Sequence, residues 1–86
     1  MNILVTGIGG PTPRSIARAL RNSGRDFRII GVDANPKALG FFMKGLVDDY
    51  FVAPRVSEGN YWNFIHELIA REKICLLYTS DAADEL

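Results

Sequence analysis

Apolar residues along the chain fall into two kinds of pattern. Short continuous runs occur at 3–5 (ILV), 29–32 (IIGV), 50–53 (YFVA) and 74–78 (ICLLY), each closed by a glycine, proline or polar residue. Runs of this length, rich in β-branched and aromatic side chains, predict buried strands over 2–6, 27–32 ending at Asp33, 49–53 and 74–78. Between them apolar residues recur at helical spacing. Ile16, Ala17, Ala19 and Leu20 do so with Arg14, Arg18 and Arg21 on the other side, and Tyr61, Phe64, Ile65, Leu68 and Ile69 form a clearer stripe within 60–71. Thr12 followed by Pro13 reads as an N-cap with proline in the first helical position, and Gly24 stands where a left-handed C-terminal cap would fall.

The segment between the second and third strands is less regular. Residues 35–40 (NPKALG) predict a turn or one short helical stretch, while 41–47 is apolar but interrupted by Gly45. Strands alternating with helices predict a parallel α/β sheet of about four strands, covered by helices on both faces. The expected strand order is 3-2-1-4.

A glycine-rich loop, Gly7-Ile8-Gly9-Gly10, leaves the first strand and enters the first helix. It therefore lies at the carboxyl end of the sheet, where open α/β sheets bind ligands and where free helix-start N–H groups favour an anion. The dinucleotide fingerprint G-x-G-x-x-G would begin at Gly7 and Gly9, but its third glycine falls on Thr12. In the register of nucleotide-sugar epimerases and short-chain dehydrogenases, the glycine would have to stand at Pro13. Asp33 is suitably placed for a ribose hydroxyl, so an NAD(P)-binding oxidoreductase or epimerase domain is the alternative reading. The anion-loop candidates are Gly7, Gly9, Gly10, Thr12, Arg14 and Asp33. Each also has a plainer role: tight turning and packing for the glycines, a solvated helix face for Arg14, a turn cap at Asn35 for Asp33. His66 reads as a surface residue, and Trp62 and Phe64 as side chains packed against the sheet. No nucleophile–base pair or paired carboxylates can be read from the sequence.

VTGIGGPTPRSIARAL followed by IIGVDANPKALG resembles the N-terminal, pre-ATP-grasp domain of ATP-grasp enzymes, carbamoyl-phosphate-synthase large chains in particular. The likeness spans 1–74, through the aspartate-tyrosine-aliphatic strand and Pro54. It implies a Rossmann-like unit, truncated here, that walls the acceptor side of a larger ligase. Such an enzyme activates a carboxylate or bicarbonate as an acyl phosphate for attack by a nitrogen nucleophile. ATP and magnesium would be held by later lobes, a small carboxylate would be the substrate, and these 86 residues alone would not be catalytic.

Residues 75–85 (CLLYTSDAADE) resemble something else: a transposase-type sequencing-library adaptor translated in one frame. On that reading the native domain is 1–74 and 75–86 is a non-native tail. The only cysteine, Cys75, and the acids Asp81, Asp84 and Glu85 would then be foreign. Ten basic and ten acidic residues cancel over the whole chain, and without the tail the excess of base is only three. Neither balance generates a field that would attract nucleic acid or an anionic membrane. With no basic region ahead of the apolar start and no spanning-length apolar run, a cytoplasmic protein without membrane or nucleic-acid partners is expected.

Overall fold

The computed structural model describes residues 1–78. Four strands, β1 (Asn2–Thr6), β2 (Arg28–Asp33), β3 (Asp49–Val52) and β4 (Leu76–Tyr78), form one sheet in the order β3-β2-β1-β4. All pairings are parallel, with Leu4 opposite Ile30 on one side and Leu77 on the other. The helices are α1 (Pro11–Asn22), α2 (Leu39–Phe42) and α3 (Tyr61–Arg71), with a single 3₁₀ turn at Val56–Glu58. The chain is thus a Rossmann-like α/β unit in the expected strand order.

Alternation along the strands builds two cores. Ile3, Val5 and Ile29 point to the face covered by α1 and α2, where they meet Ile8, Ala17, Ala38, Phe41 and Leu46. Leu4, Ile30 and Val32 point to the α3 face, against Ala53, Tyr61, Ile65 and Leu68. A strand buried on both faces has no polar face to display, which is why the apolar runs are continuous. Central β1 and β2 are almost wholly buried, whereas both edge strands are half exposed.

The helix boundaries depart from expectation at instructive places. The N-cap of α1 is Gly10, not Thr12: its extended backbone (φ −83°, ψ 160°) leaves its carbonyl free to accept the first helical bond, from Arg14 N–H at 3.2 Å. Pro11 and Pro13 both fit inside the first turn, where the missing N–H groups have no intrahelical partner anyway. The buried edge of α1 is Pro13 and Ala17 with Leu20 beside them, and Ala19 faces solvent. Gly24 does lie in the left-handed region, at φ +82°. On α3 the buried stripe is Tyr61, Ile65 and Leu68, with Phe64 packed against its edge. Trp62, expected against the sheet, is turned outward because 100° per residue carries it away from that stripe, and its ring meets that of Tyr61 edge-on. His66 is exposed. The part of the expected foreign tail that falls within the described residues continues the sheet: Cys75 N–H donates to Asn2 O at 2.9 Å, and β4 pairs with β1. Residues 79–86 lie outside the described residues.

Arg21, read as a solvent-facing helix residue, instead folds back as a clamp. Its Nε donates to Leu46 O, its Nη1 to Phe27 O and its Nη2 to Asp48 Oδ2, at 3.1, 3.1 and 2.6 Å. Asp48 Oδ2 also accepts the Ile29 N–H at 2.7 Å. Burial pushes the Asp48 carboxyl up, but the Ile29 N–H, the Arg21 pair and the Arg28 charge outweigh it and hold the pKa below its usual value. A depressed folded pKa means that the carboxylate stabilises the fold above the unfolded pKa and ceases to do so as pH falls through the folded value. The stability lost in Asp48→Asn should therefore be seen at neutral pH and vanish in acid below the carboxylate range. Urea titrations of both proteins across that range would show the gap closing, and a gap independent of pH would exclude the ionic contribution.

Candidate functional site: the glycine loop

The sheet's connections run β1 to β2 to β3 on one side, and β4 lands on the other side of β1. The crevice at the carboxyl ends of β1 and β4 is thus the switch point at which such sheets bind ligands. Gly7, Gly9 and Gly10 lie there, as the sequence placed them, with Gly7 in the left-handed region at φ 65°.

What the loop can bind depends on which of its N–H groups are free. Ile8 N–H donates to Val32 O at 3.1 Å, Gly9 N–H to Asp33 Oδ2 at 2.8 Å, and Gly10 N–H to Gly7 O at 2.9 Å. Pro11 and Pro13 have no N–H, and that of Arg14 is taken by Gly10 O. Between Ile8 and Arg14, Thr12 alone keeps a backbone N–H that no described residue accepts. Its exposed hydroxyl stands beside it. A pyrophosphate cradle needs several convergent donors at the helix start, and here the fold itself uses them.

The two remaining candidates serve the loop from either side. Asp33 does not face outward toward a ribose. One carboxylate oxygen holds Gly9 and the other accepts the Asn35 N–H at 2.9 Å, so it joins the glycine loop to the turn after β2. The expected turn cap at Asn35 is present, with the Gly9 bond in addition. Arg14 lies half-buried with its Nε donating to Gly10 O at 3.0 Å and its Nη1 4.0 Å from Met43 Sδ. Part of its guanidinium is therefore uncommitted. Thr12 keeps a free N–H and an exposed side chain at the helix start and Arg14 part of its charge, but two residues apart they stand on different sides of α1.

Ile8 and Ala38, which sequence reasoning passed over, close the site. Ile8 is fully buried although it sits among glycines, and its side chain fills the space between Gly31 and Gly40. A Cβ on Gly9 would stand 2.9 Å from Asp33 Oδ2 and 3.0 Å from the Ala38 Cβ. The segment leading into α2 is thus drawn down on the loop. Among the described residues no group of three His, Cys, Asp or Glu side chains is placed to hold a metal ion. No described helix is long and apolar enough to cross a membrane. Comparison with protein-family models, with curated proteins and with solved structures found no match.

Proposed function

We propose that residues 1–74 are the N-terminal domain of an ATP-grasp ligase of the carbamoyl-phosphate-synthase-like kind, in which the glycine loop walls the acceptor side of the cleft. The observation that carries this reading is the loop's hydrogen bonding, which spends the N–H groups of Ile8, Gly9 and Gly10 on the fold and leaves few donors, that of Thr12 among them, for an anion. So few remaining donors favour one carboxylate of an acceptor over the pyrophosphate that the NAD(P) alternative would have to seat. In this reading Thr12 orients the carboxylate, while the self-bonded loop keeps its shape without ligand. ATP and magnesium would be bound by other lobes of the enzyme, as the resemblance implies. The enzyme would activate the carboxylate, or bicarbonate, as an acyl phosphate for a nitrogen nucleophile.

The test is to read the source DNA through codons 70–86 and well beyond, from an independently prepared library. A frame that continues from codon 74 into ATP-binding lobes, with codons 75–85 gone, is the expected result. Codons 75–86 persisting and followed by a stop would overturn the ligase reading.

A further inference from the structure

The second feature of interest lies at the opposite edge of the fold from β4. Among the described residues β3 pairs with β2 alone, so its other side presents unpaired backbone. Around it stand large apolar side chains with little cover: Tyr50 and Val52 on the strand are 48% and 46% exposed, and Phe42 on α2 is 66% exposed. Phe41 is buried beneath them and stacks on Tyr50 with ring centroids 4.7 Å apart. Proteins usually blunt such an edge with a lysine, a proline or a bulge. Between Tyr50 and Val52 β3 has none of these.

We propose that this edge is a dimer interface, at which β3 of a second copy adds antiparallel to make a sheet continuous across both chains. A two-fold interface must be self-complementary, and strand geometry narrows how that can be met. Residues directly opposite in an antiparallel pair share a face. Tyr50 and Val52 are on the α2 face, and Phe51 is on the α3 face under the Arg71 guanidinium. A two-fold centred on Tyr50 would set Asp48 against Val52, taking a carboxylate already bound to Arg21 into an apolar seam. One centred on Val52 would set Pro54, with no N–H, against Tyr50. Centring on Phe51 avoids both. It places Tyr50 opposite the partner's Val52 twice over, an aromatic with a β-branched residue, and Phe51 opposite the partner's Phe51. The ends agree in charge as well: Asp49 comes to the end of the partner strand at which Arg55 stands, and the reverse.

The test is the solution mass of the whole chain and of Val52→Lys, by analytical ultracentrifugation over about a hundredfold range of concentration, since self-association must respond to it. The wild-type chain is expected to reach twice the monomer mass and the variant to remain monomeric with an unchanged far-UV circular dichroism spectrum. Hydrogen exchange on the wild-type protein supplies a reading that needs no folded variant. Protection of 49–52 should rise severalfold with concentration while that of β1 stays constant. A wild-type chain that is monomeric throughout, a Val52→Lys dimer as strong as wild type, or concentration-independent exchange at 49–52 would each overturn the proposal.

Discussion

Gly40→Ala is expected to lower the melting temperature by about 15 °C, given roughly 4–8 °C per kcal/mol for a domain of this size. Two effects of opposite sign compete. Within a helix alanine is preferred over glycine by about 1 kcal/mol, so on propensity alone the change should stabilise α2. Against this, a Cβ at position 40 would land on the Ile8 carbonyl oxygen, 2.6 Å from Ile8 Cγ1 and 3.0 Å from the Ile8 carbonyl carbon. The obstacle is mostly backbone, so no rotamer change relieves it. The whole of α2 has to lift from the glycine loop, and overpacking of this kind costs about 3 kcal/mol. The clash therefore wins. Gly45→Ala is the control: it stands at φ +80° with nothing within 4 Å of its new methyl, so it meets only the left-handed strain of about 1–2 kcal/mol. Thermal melts followed by circular dichroism compare the two. A Gly40→Ala protein as stable as wild type would mean that α2 does not rest on the loop, and the closed form of the site would go with it.

The same contact explains which parts of the fold the sequence reveals. Strands and α3 are legible because their signal is periodic. Leu4, Ile30 and Val32 lie in unbroken apolar runs, and Tyr61, Ile65 and Leu68 repeat at helical spacing. Gly24 is legible because a capping glycine has a fixed place relative to a helix end. Ile8 and Gly40 have no such signature. One isoleucine among glycines has no period, and a glycine in an apolar segment looks like an interruption, although here it permits a close approach of α2 to the Ile8 backbone. The start of α1, read from the sequence at Thr12 and Pro13, lies two residues earlier in the structure for a different reason. Prolines at 11 and 13 are both acceptable in a first turn, and only the extended backbone of Gly10 decides between them. Asp33 was found as a candidate by its place at the end of β2. Its orientation inward to Gly9 follows from the loop after β2, whose course has no local code. The glycines thus announce a close approach correctly, while the partner in that approach is the protein's own α2 segment.

Ile8→Ala tests that last statement. If the loop were shaped chiefly to receive a ligand, its isoleucine would be a cheap residue to truncate. In the structure it is a core residue, fully buried and in van der Waals reach of Gly31 and Gly40, so truncation should leave a cavity and cost about 3 kcal/mol. Ile16→Ala, on the half-exposed side of α1, is the comparison and should cost about 1 kcal/mol or less, because little area is lost from contact there. Equilibrium urea unfolding gives both values, and equal small losses would mean that the loop carries no part of the core. The double substitution, Ile8→Ala with Gly40→Ala, then separates the two obstacles beneath α2. Removing Cγ1 relieves the side-chain contact, which should appear as a favourable coupling of about 1 kcal/mol between the two changes. The carbonyl of residue 8 remains whatever its side chain, so the double variant should still be markedly less stable than Ile8→Ala alone. Full recovery to the level of Ile8→Ala would assign the spacing to the side chain. The loop backbone and α2 would then be free to separate, leaving room above Gly9 for a ligand larger than one carboxylate.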